Sequence, residues 1–132
     1  MISIIGSGKV GTAIAFLCIA NSLDDVLLIN RTKDKAIGEA LDISNAVSGN
    51  SNVSIYGTDD FSKINGSDVI VITASTGIYL KSRIEMMDAQ VIMIKNIAKQ
   101  IKKYINRLKE KQLSISVNSN VLTVHKVFCK KY

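Results

Sequence analysis

The sequence predicts an α/β fold, in which helices flank a doubly wound parallel sheet within a single domain. Short runs of β-branched residues, such as Ile2 to Ile5 and "DVIVIT", alternate with segments of helical spacing, as in sheets whose strands are joined by helical crossovers. Glycine and asparagine punctuate the junctions between these segments. The 132 residues, 47% hydrophobic and 21% charged, are enough for one modest core.

The elements are predicted in chain order from this alternation. After the strand Ile2 to Ile5, apolar residues recur at helical spacing and predict the first helix: Val10, Ala13, Ile14, Leu17 and Cys18. Six further elements follow: a strand at 24–30, a helix at 34–47, strands at 52–57 and 68–73, a long helix at 83–108, and a strand at 113–117. We predict that residues 1–120 form the domain and that residues 121–132 are an irregular C-terminal tail.

The long helix carries a stripe of apolar residues that step by three and four, which is typical of a face packed into the core. The predicted stripe consists of Met87, Val91, Ile94, Ala98, Ile101, Ile105 and Leu108. Cys18 is interpreted as core filling, because it lies far from Cys129 and the two have no metal-ligand spacing. No metal site is therefore predicted.

Composition excludes several classes of protein. No apolar stretch approaches the roughly 20 residues of a membrane helix, so we expect a soluble, cytoplasmic protein without membrane contact. The net charge is +6, and residues 95–132 hold ten of the 17 basic residues but one of the 11 acidic residues. This segment could bind nucleic acid or another acidic partner, but a solvated helix face is favoured, because no aromatic-interleaved motif accompanies the charge.

The segment Gly6-Ser7-Gly8-Lys9-Val10-Gly11 lies between the first strand and the first helix. Phosphates bind to unhindered backbone N–H groups at a helix N-terminus, and this spacing provides them. Gly6 would allow the tight turn, Gly8 the approach of a pyrophosphate, and Gly11 close packing of helix on strand. We therefore predict a dinucleotide site here; the alternative is a glycine-containing turn without a ligand.

The choice of dinucleotide depends on the end of the second strand, where NAD-specific proteins place an acidic residue on the ribose hydroxyls. This chain has Asn30-Arg31-Thr32. A neutral Asn30 would not repel a 2′-phosphate, and Arg31 could bind one. The pattern favours NADP(H). NAD remains the alternative, with Arg31 in solvent and Asn30 on the ribose.

Several motifs, in order and at consistent spacing, resemble the malate and lactate dehydrogenases, particularly their archaeal or bacterial malate dehydrogenase branch. They are "IIGSGKVG", "GEALDI", "GTDDFSKINGSDVIVITAS", "KSRIEMM", and "SN" followed by "VLT". The resemblance runs from residue 1 to about residue 123. It implies a Rossmann-type domain and an oxidoreductase that transfers a hydride between a nicotinamide and a 2-hydroxy acid. Ala74 and Ser75, after the fourth strand, complete the predicted cofactor-binding set.

The resemblance also implies substrate-binding residues. Arg83 matches the arginine that polarises the reacting carbonyl, and Asn120 matches the asparagine that lies near substrate and nicotinamide. The second substrate-binding arginine of malate-specific members has no clear match, since Leu80 and Lys81 stand in its place. The family reads Asn-Pro-Val-Asp before "VLT", whereas Val121 follows Asn120 directly here. Malate and lactate therefore both remain open as substrates.

The family's catalytic His–Asp pair belongs to a second domain, and we expect this chain to stop before it. His125, the single histidine, is followed by Lys126 rather than glycine and is too early to match. We therefore expect the chain alone to bind cofactor without catalysis and to self-associate through surfaces that the missing half would cover. Alternatives are a degenerate, non-catalytic remnant or scaffold and, ranked last, a basic polyanion-binding module.

Overall fold

A computed structural model describes residues 1–49, 51–76, 83–105, 114–118 and 123–124, and it describes side chains for 1–49, 51–76 and 87–105. Its strands are β1 (Ile2–Ile5), β2 (Val26–Ile29), β3 (Ile55–Thr58), β4 (Val69–Ile72), β5 (Ser114–Asn118) and β6 (Thr123–Val124). Its α-helices are α1 (Lys9–Ala20), α2 (Lys33–Ala46) and α3 (Arg83–Tyr104), and a 3-10 helix spans Phe61–Ile64. The predicted α/β class is confirmed.

The strands form one sheet in the order β3-β2-β1-β4-β5-β6. From β3 to β5 all neighbours are parallel, and β6 pairs antiparallel with β5. The order reverses at β1, which lies between β2 and β4, so the sheet is doubly wound as predicted. The two residues of β6 belong to the segment predicted as an irregular tail; the rest of that segment lies outside the described residues.

Both faces of the sheet are covered, as a buried parallel sheet requires. On one face, α1 and α2 enclose an apolar cluster whose fully buried members include Ile4, Val26 and Leu28. On the other, α3 and the 3-10 helix enclose a second cluster around Ile70 and Ile64. Adjacent residues of β1 and β2 point to opposite faces, which explains why these strands are continuous apolar runs rather than alternating ones.

The buried face of α3 differs from the predicted stripe. Ile97 and Ile101 are buried and Met93 packs against them, whereas Met87 is 40% exposed and Ala98 is exposed. The prediction was wrong for Met87 and Ala98, because α3 carries apolar residues on more than one face and periodicity alone does not say which face meets the sheet. Leu108 lies outside the described residues.

The inner face of helix α1 combines small side chains in its first two turns with the buried Ile19 in its last turn. Gly11 and Ala15 are buried together with Cys18, as predicted for Cys18, while Phe16 and Leu17 are exposed. Burial raises the pKa of the Cys18 thiol, which favours the unreactive neutral form. Small residues on the inner face allow α1 to lie close to β1.

Helix α2 lies close to the edge strand β3 through a second small residue. A Cβ atom built on Gly57 would be 2.2 Å from the carbonyl oxygen of Ala36, which is itself fully buried in the first turn of α2. Strand β3 begins at Ile55, three residues after the predicted start at Asn52. Within the described residues, no helix is long and apolar enough to cross a membrane.

Candidate dinucleotide-binding site

The candidate site is a cavity of about 770 Å³ at the carboxyl ends of the strands, where the strand order reverses at β1. Ligands of open α/β sheets bind at this type of position. The loops after β1, β2 and β4 form one side of the cavity, and α3 forms the other. The described lining residues are Ile5, Gly6, Ser7, Gly8, Ile29, Asn30, Arg31, Thr32, Lys35, Phe61, Thr73, Ala74, Ser75, Thr76, Ala89, Ile92, Met93, Asn96, Ile97 and Gln100.

Two glycines of the loop are required by packing. Gly6 has φ +115°, and a Cβ atom there would lie 2.6 Å from the backbone nitrogen of Ala74. A Cβ atom on Gly11 would lie 1.9 Å from the carbonyl oxygen of Gly6. The backbone after β1 is therefore pressed between the end of β4 and the first turn of α1, as predicted for a tight turn with close helix packing.

Gly8 differs from the other two, because a Cβ atom on it would meet nothing within 4 Å. It is the N-cap residue of α1 and supplies no side-chain acceptor to the helix. The first helical hydrogen bond is from Thr12 N to Gly8 O, at 2.9 Å, so the preceding first-turn amides have no acceptor within the helix. Open space beside unpaired amides fits a phosphate group.

Thr73 fixes the loop from the neighbouring strand. Its backbone N–H donates to Ile5 O at 2.8 Å, which extends the pairing of β4 with β1. Its hydroxyl donates to Gly6 O, also at 2.8 Å. Sequence analysis did not single out Thr73; a hydroxyl residue at the end of the strand beside the glycine loop was the available signal.

Asn30 connects the glycine loop to the start of α2. Its Nδ2 donates to Oγ of the buried Ser7, and its Oδ1 accepts from Thr32 N at 3.1 Å. The side chain thus makes one hydrogen bond to each of the two loops that border the cavity. It holds the loop after β1 against the loop after β2.

The wall opposite the loops is mainly apolar and comes from α3 and the 3-10 helix, with Phe61, Met93 and Ile97 among its residues. The N-cap residue of the 3-10 helix is Asp60, whose carboxylate accepts from Ser62 N at 2.8 Å. Hydrogen bonds from the Ser62 side chain and backbone hold the pKa of Asp60 below its usual value. Sequence analysis predicted neither the 3-10 helix nor this wall, and the wall depends on which face of α3 meets the sheet.

The predicted cofactor residues divide into two groups by position. The members that line the cavity are Gly6, Ser7, Gly8, Asn30, Arg31, Thr32, Ala74 and Ser75. Gly11 packs behind the loop, and Lys9 and Val10 are exposed on the first turn of α1. Arg83 begins α3, but its side chain lies outside the described residues, as do Asn120 and His125.

The whole arrangement matches a known domain family. The model of the lactate/malate dehydrogenase NAD binding domain matches residues 1–131. This chain belongs to that family. Membership confirms the resemblance and identifies the Rossmann-type sheet as the NAD-binding unit of a family of oxidoreductases.

Individual relatives agree with this assignment. The chain is 36% identical over 106 residues to the malate dehydrogenase of Aeropyrum pernix and 35% identical over 105 residues to the L-lactate dehydrogenase of Thermoanaerobacterium saccharolyticum. These alignments cover 79% and 78% of this chain, but 34% and 33% of the two enzymes. The chain thus spans about a third of the length of these relatives.

Solved structures of the lactate/malate dehydrogenase family have the same fold. The Aeropyrum pernix malate dehydrogenase superposes with a TM-score of 0.76 at 35% identity, covering 89% of this chain and 38% of that one. The malate dehydrogenase of Archaeoglobus fulgidus, determined in complex with NADH, gives 0.75 at 31% identity and covers 89% and 40%. The described architecture is therefore that of a dehydrogenase cofactor domain.

Proposed function

We propose that this chain binds a nicotinamide dinucleotide in the cavity at the end of β1 and prefers NADP(H) to NAD(H). The observation that carries the proposal is the space beside Gly8, which leaves the first-turn amides of α1 accessible to a pyrophosphate. The coenzyme preference rests on Arg31, which lines the cavity where NAD-specific proteins place a carboxylate. The family description names NAD, so the proposed preference for NADP(H) departs from that description.

In a complete enzyme, the domain would hold the nicotinamide for hydride transfer to or from a 2-hydroxy acid. By resemblance to the family, Arg83 would polarise the substrate carbonyl and Asn120 would lie beside substrate and nicotinamide. The single histidine, His125, is followed by Lys126 and does not match the family's proton acceptor. We therefore expect the 132-residue chain to bind coenzyme without reducing oxaloacetate or pyruvate.

Gly8→Ala tests the site without disturbing the fold. Its φ of −88° is accessible to alanine, and the added methyl group meets no protein atom within 4 Å. A methyl group that projects into the pyrophosphate position would weaken NADPH binding by about tenfold or more, equivalent to about 1.4 kcal/mol. Quenching of NADPH fluorescence during titration measures the affinity, and thermal unfolding should show a folded variant with a modest loss of stability, since alanine is less favourable than glycine at an N-cap.

Gly38→Ala is the matched control, since this glycine of α2 also has nothing within 4 Å of an added Cβ atom and does not line the cavity. It should leave the NADPH affinity unchanged. If Gly8→Ala and the unaltered chain bind NADPH equally well, the phosphate lies elsewhere. If the unaltered chain binds neither NADPH nor NADH, the nucleotide proposal fails, and a non-catalytic scaffold becomes the better interpretation.

We also propose that the chain self-associates. Large apolar side chains are exposed on the outer faces of α1 and α2, with Leu17 at 58% and Leu41 at 57%. Exposed apolar surface favours association between copies when it forms a large enough patch. The sedimentation coefficient should rise with protein concentration, and Leu17→Glu should reduce that rise; a concentration-independent monomer would contradict the proposal.

A further inference from the structure

The charges around the cavity are one-sided. Among its described lining residues, Arg31 and Lys35 are cationic and none is Asp or Glu. Both cations lie at the same end, beside the start of α2, and both are exposed. Sequence analysis singled out Arg31 but not Lys35, which was indistinguishable from the other lysines of α2.

Asn30 makes hydrogen bonds within the protein at this end of the cavity. Its Oδ1 accepts from Thr32 N, and its Nδ2 donates to Ser7 Oγ. The residue that stands where a carboxylate would select NAD therefore acts here as a link between two loops.

Neither cation is neutralised locally. Among the side chains that the structure describes, Arg31 and Lys35 form no ion pair. The ion pairs among these described residues are those of the Met1 ammonium group, at the opposite end of the sheet. Asp34 is exposed beside Lys35 on the first turn of α2 but does not line the cavity. Two cations without an ion-pair partner, at one end of a cavity whose described lining has no carboxylate, favour a ligand with a phosphate at that end.

We infer that Lys35 is a second specificity-determining residue, which binds together with Arg31 the 2′-phosphate that distinguishes NADP(H) from NAD(H). This inference rests on the proposed function, because it requires the adenosine half of the dinucleotide to lie beside α2. Lys35 contributes a mobile ammonium donor and Arg31 a planar fork. Together they would bind the 2′-phosphate from two sides, while the diphosphate would remain at the glycine loop.

Lys35→Gln in the full chain tests this inference, with NADPH, NADH and adenosine 2′-monophosphate as the titrated probes. An exposed ion pair contributes modestly, so we expect NADPH and adenosine 2′-monophosphate to bind roughly fivefold more weakly. The affinity for NADH should not change. Lys35→Arg should restore NADPH binding, and thermal unfolding should show that both variants are folded.

Lys33→Gln is the matched control, because Lys33 is an exposed lysine of the same helical turn that does not line the cavity. If it weakens NADPH binding as much as Lys35→Gln does, the effect is general electrostatics and the inference is overturned. The inference is also overturned if Lys35→Gln weakens the binding of NADPH and NADH equally, or if it changes the binding of neither coenzyme. If Arg31→Gln abolishes the NADPH preference and Lys35→Gln does not, the inference about Lys35 fails while the proposed function stands.

Discussion

The two ends of the sheet differ in whether their charged groups form ion pairs. At the amino ends of the strands, the Met1 ammonium group pairs with the carboxylates of Asp24 and Asp68, the latter at 2.9 Å. At the carboxyl ends, the described cavity lining has two cations and no carboxylate. Charge at the amino end is therefore paired within the protein and serves the fold, whereas charge at the carboxyl end is available to a ligand.

The largest expected effect comes from breaking the packing at the carboxyl end. In Gly11→Ala, the methyl group would lie 1.9 Å from Gly6 O and 2.7 Å from Thr73 Oγ1. Backbone cannot move aside as easily as a side chain, so the free energy of unfolding should fall by about 2 kcal/mol or more. Urea unfolding measures this loss.

Gly38→Ala is the control for Gly11→Ala, because it is the same substitution in a helix at a position with open space around it. It should raise the free energy of unfolding by up to about 1 kcal/mol through helix propensity. Opposite signs for the two variants are the expected result. Equal stabilisation by both would show that α1 does not lie against the loop as described.

The smallest effect is expected at the amino end and depends on pH. Burial lowers the pKa of the Met1 amine, but hydrogen bonds to Asp24 and Asp68 outweigh it and raise the pKa above 8.0. The hydrogen bond from the amine lowers the pKa of Asp24 below 3.8. The ion pair therefore stabilises the folded state between pH 3.8 and pH 8.0, where both groups are charged. This stabilisation is lost as pH rises through the folded amine pKa or falls through the folded Asp24 pKa.

Asp24→Asn should flatten the alkaline part of this dependence, measured as the free energy of unfolding from neutral pH to well above 8.0. Asp42→Asn removes an equal charge from an exposed site on α2 and should leave the alkaline slope unchanged. Equal slopes for Asp24→Asn and the unaltered chain would show that the ion pair does not contribute in solution. Both partners are partly exposed to solvent, which screens their charges, so the difference should be small.

Features fixed by backbone geometry were predictable from the sequence. Strand β1 was predicted with the correct bounds, and Gly6 and Gly11 were assigned packing roles that the structure describes. These predictions succeeded because a strand that is buried on both faces and a turn without room for Cβ atoms restrict residue type directly. These restrictions can be recognised from the residue types alone, without knowledge of tertiary contacts.

Features that depend on tertiary contacts were not predictable. Helix α1 buries Gly11 and Ala15 while Phe16 and Leu17 are exposed, so hydrophobicity alone does not identify its inner face. Lys35 became a candidate only when the cavity showed which lysine of α2 lines it. Side chains acquire such roles through neighbours that are distant in sequence, and no local pattern records them.

The contact between Gly57 and Ala36 links the edge of the sheet to the position of Lys35 at the cavity. Ala36 follows Lys35 in the chain, and its carbonyl oxygen would be 2.2 Å from any Cβ atom at position 57. A larger residue there would push the first turn of α2 outward and carry the ammonium group of Lys35 away from its place at the cavity. If Lys35 binds the 2′-phosphate as proposed, coenzyme selectivity would depend on the volume of a residue that does not line the cavity, so engineering of coenzyme use in this domain should include position 57.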